Sequence, residues 1–282
     1  MPNTPTIAIG HLTLLDTSPP DLVALAAEAG FDAIGVRVSA AGPVEEPWPM
    51  RPGSAMLDET RRRLDDTGVE VLDVEIIRLG PETKAVDHQA LYEAGATLGA
   101  RFINVIADDP DLGRARDTIA AIAAEARPYG LRPVVEAMVY SQVRSLADAV
   151  SVVDGSGGGV TVDPLHLFRF GGSVDQLRLI DRALLLYFQV CDAPLAPPVG
   201  LERPSRLPRG QSLDIDDRAL EARAARLLPG DGELPLAEIM RAMPDDIPVS
   251  VEAPNQVLLE RIGAAEFARR ARRSVDALLR AR

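Results

Sequence analysis

Four short runs of β-branched and apolar residues in this sequence each end at, or one residue past, a side chain that carries oxygen: Pro133-Val-Val-Glu136, Val160-Thr-Val-Asp163, Phe188-Gln189-Val and Val249-Ser-Val-Glu252. A buried parallel strand that delivers one polar group into a pocket at its C-terminal end has this appearance. Carboxylates so placed are costly unless they are paired, hydrogen-bonded or bound to a cation, and no Lys or Arg lies within those runs. Glu136, Asp163 and Glu252, joined by the amide oxygen of Gln189, therefore predict a divalent metal site. All-oxygen donors suit Mn²⁺ or Mg²⁺ better than zinc. A metal chelated by a ketone oxygen and a neighbouring hydroxyl would acidify the adjacent C–H, and Glu136 and Glu252 would then remove and return its proton. His166, three residues after Asp163, is expected to face the same pocket; a loop histidine bonded to backbone is the plainer alternative.

The rest of the chain supplies the elements that would hold these groups. Strands are expected at Thr6–Gly10, Ala33–Val38, Val69–Ile77, Arg101–Ala107, Leu131–Glu136, Gly159–Asp163, Leu184–Val190 and Ile247–Glu252. Helical patterns separate them, among them Ala55–Thr67, Lys84–Leu98, Asp111–Arg127, a helix capped by Ser141 and running to Val153, Ser173–Arg182, Asp216–Leu227, Leu234–Met243 and Val257–Leu279. Eight strands alternating with helices, with no linker-like break, predict one (β/α)8 TIM barrel over residues 1–282 rather than an open doubly wound sheet. The first strand lacks the glycine fingerprint of a dinucleotide site. Cys191–Ile215 is a long irregular stretch with five prolines, of the kind that is usually functional or disordered.

By period-two counting, Asp73 and Glu75 share one face of the third strand. Glu75 is expected to reach substrate hydroxyls or to form a buried salt bridge. His11, Asn104, Asp108 and Trp48 are weaker pocket candidates. Pro229-Gly-Asp-Gly232 reads as a plain turn, since no Lys follows it to bind phosphate.

A net charge of −12 disfavours nucleic acid and anionic membrane as partners. No apolar run approaches membrane-spanning length, and the amino terminus does not read as a secretory signal. With a single cysteine, Cys191, there is no intrachain disulfide framework. A cytoplasmic protein acting on a small molecule is the expectation.

The Glu136 strand end, the Asp163-x-x-His166 and Gln189-x-x-Asp192 segments and Glu252 resemble the xylose isomerase-like barrels, which include sugar epimerases and inosose-processing enzymes. The resemblance covers nearly the whole chain. It implies metal ligation by Glu, Asp, His and Glu, with Gln189 standing where the family has histidine. It also implies contact between His166 and a substrate oxygen, a substrate-binding role for Arg209, a carbohydrate substrate and a homo-oligomer. The leading expectation is a metal-dependent epimerase or isomerase of a keto sugar or related polyol. The alternatives are a dehydratase of an inosose or dehydroshikimate-like ring, or a non-catalytic barrel that has lost its metal. The abasic-site nucleases of the same barrel type use a His-rich site and a basic groove, which this acidic chain with three histidines does not offer.

Overall fold

The computed structural model describes residues 5–281. Eight parallel strands close into a barrel in sequence order, the first pairing with the last. They are β1 Ile7–Ile9, β2 Ala33–Arg37, β3 Glu70–Leu79, β4 Phe102–Ala107, β5 Arg132–Glu136, β6 Gly159–Val162, β7 Leu185–Val190 and β8 Val249–Val251. The helices are α1 Pro19–Ala29, α2 Ala55–Thr67, α3 Gln89–Thr97, α4 Leu112–Ala126, α5 Leu146–Val153, α6 Pro164–Arg169, α7 Val174–Arg178, α8 Asp217–Ala224, α9 Leu236–Ala242, α10 Gln256–Ile262 and α11 Ala264–Arg280. The expected (β/α)8 barrel is thus the observed architecture.

Period two explains how the barrel interior is divided. Ala8, Ala33, Leu72, Val134 and Tyr187 form a small apolar cluster separate from the main core, with Phe102 and Leu186 against it. The Phe102 and Tyr187 rings stack at 5.6 Å. Two residues further along β4, β5 and β7, the side chains on the same face are Asn104, Glu136 and Gln189. Register agrees, for Glu136 lies beside Thr161 and Gln189 beside Ser250. The floor is therefore hydrocarbon and the layer above it polar. The opposite faces of the strands pack against the helices in one large core that includes Ile9, Val36, Val135, Val160 and Val251. Gly35 is where crowding in the polar layer shows: a Cβ there would lie 3.0 Å from Asp73 Oδ1 and 3.1 Å from Glu75 Oε1.

Several boundaries differ from the sequence expectation. The segment Lys84–Leu98 is a 3₁₀ turn at Ala85–His88 followed by α3. α5 starts at Leu146 and is capped by Ser145, whose hydroxyl accepts from Asp148 N–H, not by Ser141, whose hydroxyl donates to Met138 and Val143 carbonyls. The last helix is two, divided at Gly263, whose φ of 77° suits glycine. α6 was not anticipated, and it carries His166. Asp163 is its N-cap, accepting from His166 N–H at 3.2 Å, and Pro164 opens its first turn.

Candidate active site

The strand ends bring Glu136, Asp163, Gln189 and Glu252 together, all buried. Among the described residues, Glu136, Asp163 and His166 offer donor atoms that all lie within 4.8 Å of one another, a grouping that could hold a metal ion. This set takes in His166, expected to contact substrate, and leaves out Glu252, expected to be a ligand. Gln189 Nε2 donates to Glu252 Oε1 at 3.0 Å, while Gln189 Oε1 and Glu136 Oε1 are buried without hydrogen-bond partners, Glu136 Oε1 lying 3.6 Å from His166 Nε2.

A cation already stands among these carboxylates, and sequence reasoning missed it. Arg226 Nη1 donates to Asp163 Oδ2 at 2.5 Å, to the Glu252 carbonyl at 2.9 Å and to Glu252 Oε2 at 3.2 Å. Its Nη2 lies 3.5 Å from His166 Nε2. Arg226 comes from the segment after α8, expected to be the end of a helix, where two isolated bridges, Ala225 to Asn255 and Asp192 to Leu227, hold the chain beside the barrel mouth. Its backbone N–H donates to Pro254 and its carbonyl accepts from Asn255 Nδ2. The expected divalent metal is therefore not the sole counter-charge at this centre, because part of the charge is met by a guanidinium.

The environment pushes the acids apart. Burial, then the charges of Glu252 and Asp163, hold the Glu136 carboxyl well above the ordinary carboxylate range. Burial raises Glu252 to about 7 against the attraction of Arg226. Asp163 is also buried, yet Arg226 and the His166 N–H hold it below its usual value. Burial lowers His166 to about 4, so its imidazole is neutral at physiological pH.

A cavity of about 480 Å³ opens above this cluster, with Glu75, Asn104, Glu136, His166, Arg226 and Glu252 in its wall. Glu75 does reach the cavity, and it is also salt-bridged to buried Arg37 at 2.9 Å. Arg209 does not line it. Its guanidinium stacks 3.9 Å over Trp48 and donates to the Glu46 and Pro47 carbonyls, so it ties the loop after β2 to the long loop after β7. The structure thus places Arg209, expected to bind substrate, in a tie between two loops rather than in this cavity wall. His11 is structural: its Nδ1 accepts from Arg37 N–H and its Nε2 bonds the Thr17 carbonyl. Asp192 accepts from Ala193, Gly230 and Leu234 N–H groups, which makes Pro229-Gly-Asp-Gly232 a turn clamped by a carboxylate.

An eight-stranded parallel barrel with acids at its C-terminal mouth defines the class: a TIM barrel whose site lies where such barrels place theirs. The chain belongs to the xylose isomerase-like TIM barrel family, whose model matches residues 23–279. No curated protein matches it. Among solved structures it is similar to the IOLI protein with a bound zinc atom, at 17% identity and TM-score 0.74, covering 97% of this chain and 98% of that one. It is similar to a D-psicose 3-epimerase in the presence of D-fructose, at 17% identity and TM-score 0.67, covering 97% and 99%. A structure from Bacillus anthracis titled as the probable 3-DHS dehydratase AsbF of petrobactin synthesis is 14% identical with TM-score 0.68, covering 96% and 98%. A fusion protein of a xylose isomerase-like barrel and 4-hydroxyphenylpyruvate dioxygenase aligns with 98% of this chain at 20% identity and TM-score 0.74, and the chain spans 42% of that protein's length. At these identities the likeness is one of fold. No helix among the described residues is long and apolar enough to cross a membrane.

Proposed function

We propose that this protein removes the proton beside the carbonyl of a small polyhydroxylated molecule and then expels the hydroxyl one carbon further along, as a cytoplasmic dehydratase. The observation that carries this reading is the unequal state of the bases in the cavity wall. Both Glu252 oxygens are engaged, Oε1 by Gln189 and Oε2 by Arg226. His166 is buried, neutral and unpartnered at Nδ1. With Glu252 engaged and the Glu136 carboxyl pushed well above its ordinary range by burial, neutral His166 is left as the base, which suits abstraction followed by return of the same proton to a departing hydroxyl, whereas inversion of a stereocentre needs bases on two faces.

Glu136 and Asp163, whose donor oxygens lie within 4.8 Å of each other and of a His166 nitrogen, would hold a hard divalent cation, Mn²⁺ or Mg²⁺, with the unpartnered buried Gln189 Oε1 and Glu252 as the further oxygens expected from the sequence. Such a cation, when bound, would supply polarisation of the substrate carbonyl and stabilise the enolate charge. Arg226 orients Asp163 and Glu252 for that role. His166 takes the proton from carbon, and the imidazolium gives it to the leaving hydroxyl, which departs as water. The protein ends the cycle with its protons where they began.

A second reading is epimerisation or isomerisation, with Glu136 and Glu252 as the proton pair. Its support is that both line one cavity and that Glu252 is held near 7, suited to exchange at neutral pH. Incubation in D2O with a panel of ketoses and hydroxylated ring ketones separates the two. Loss of water supports dehydration, and deuterium uptake at carbon without loss of water supports epimerisation. Neither change in the wild type, in the presence of Mn²⁺ or Mg²⁺, would defeat both.

A further inference from the structure

The guanidinium of Arg226 takes up oxygens that a divalent cation would need. Asp163 Oδ2 accepts from Arg226 Nη1 at 2.5 Å, and Asp163 Oδ1 accepts from the His166 N–H at 3.2 Å. Glu252 Oε2 accepts from the same Nη1 at 3.2 Å, and its Oε1 from Gln189 Nε2 at 3.0 Å. The buried oxygens of this group left without a hydrogen bond are Glu136 Oε1 and Gln189 Oε1. Arg226 is anchored from behind: its Nε donates to the Ala222 carbonyl at 2.8 Å, and its backbone N–H to the Pro254 carbonyl at 3.0 Å. On its other side Arg226 forms part of the wall of the 480 Å³ cavity. The guanidinium can therefore turn into that cavity with its backbone in place.

We infer that Arg226 is a placeholder for the divalent cation: it holds Asp163 and Glu252 in the cation-free protein and gives them up when a cation binds. The protein's affinity for the cation is then set by competition with its own side chain. This rests on the cation site proposed above and says how that site is filled. A guanidinium and a divalent cation within reach of the same two oxygens repel each other strongly in a buried setting, so both cannot keep them. Without either one, Asp163 would be a buried charge with no counter-ion, a state that folding tolerates poorly. Gln189 brings an amide oxygen and no charge, so it does not tip the balance toward the cation. The consequence is a cation that exchanges rather than one that is locked in.

The test is titration with Mn²⁺, the free ion followed by electron paramagnetic resonance, of wild type, Arg226→Met and Arg226→Lys. Arg226→Met has no internal cation to displace and should bind Mn²⁺ on the order of a hundredfold more tightly than wild type. Arg226→Lys keeps the charge and should stay within about tenfold of wild type. A second measurement needs no stable variant without arginine. The Arg226 Nε–H, shielded by its bond to Ala222, should give a slowly exchanging nitrogen–proton resonance in the wild type, assigned by its loss in Arg226→Lys. That resonance should shift as Mg²⁺ is added. Mn²⁺ bound equally by all three proteins or by none, tightening in Arg226→Lys as large as in Arg226→Met, or a resonance unmoved by Mg²⁺, overturns the inference. Failure of the proton-transfer reading shows separately, as absent exchange at carbon in a protein whose cation affinity still follows the charge at position 226.

Discussion

Replacing Arg226 with methionine keeps the bulk of the side chain and removes the one guanidinium set among the strand-end carboxylates. Arg226 is 2% exposed, and its Nη1 serves Asp163 and Glu252 at once. Removing one partner of a buried ion pair costs about 3–5 kcal/mol, because the other charge is left unpaired. The cost belongs mainly to Asp163: Glu252 already titrates at about 7, so near neutrality it can take a proton at little expense. We expect a loss of about 3 kcal/mol at pH 7.5, seen as a melting temperature lower by roughly 6 °C. The loss depends on pH. Burial raises Asp163, but Arg226 and its hydrogen bonds bring it below 3.8, so its stabilising contribution is present above that value and fades as pH falls through the folded value. In the variant Asp163 is raised instead, so the gap between the two proteins should narrow between pH 7.5 and pH 4.5. Urea unfolding of cation-free protein at both pH values, followed by far-UV circular dichroism, measures it, and Asp163→Asn added to Arg226→Met should recover most of the loss. A deficit under about 1 kcal/mol at pH 7.5, or one of equal size at both pH values, would refute the assignment of Arg226 as the internal counter-charge.

Glu252 makes the opposite pH prediction. Its folded value is raised from 4.5 to about 7, so the stability it allows is fully present below 4.5 and lost as pH rises through 7, by about 3 kcal/mol. Cation-free protein should therefore melt lower at pH 8 than at pH 5.5, Glu252→Gln should remove much of that difference, and a flat profile in the wild type counts against it. Gln189→His should tighten zinc binding relative to Mn²⁺ in a competition assay, since imidazole is the softer donor, and an unchanged order of metals would remove Gln189 from the ligand set. Arg209→Ala should loosen the two loops it ties and shift the emission of Trp48, the only tryptophan, to the red, and unaltered emission in the variant would count against that tie.

The parts of this site legible in the sequence are those carried by strands. A barrel strand exposes its residues in strict alternation, so a carboxylate ending a β-branched run can point only to the core helices or to the barrel mouth, and burial cost rejects the first. Glu136, Asp163, Gln189 and Glu252 were found on that logic, and Glu75 followed from counting by twos along β3. Loop and helix-end residues obey no such rule. Arg209 and Arg226 both lie between β7 and β8, and both precede glycine-containing turns, Arg209-Gly-Gln211 and Pro229-Gly-Asp-Gly232. Choosing between them requires knowing where the chain re-enters the barrel mouth, and that is set by the Asp192–Leu227 and Ala225–Asn255 bridges, contacts between segments about thirty residues apart or more. One local cue was present: Asp192, two residues past the end of β7, must be held by something, and its partners include N–H groups in and just after the turn that begins three residues after Arg226. A carboxylate clamping that turn fixes the preceding arginine over the neighbouring strand ends. The charge balance of the barrel mouth is therefore decided by a tertiary clamp, and the electrostatics that strand patterning predicts as an acidic ring becomes an acidic ring with one cation built in.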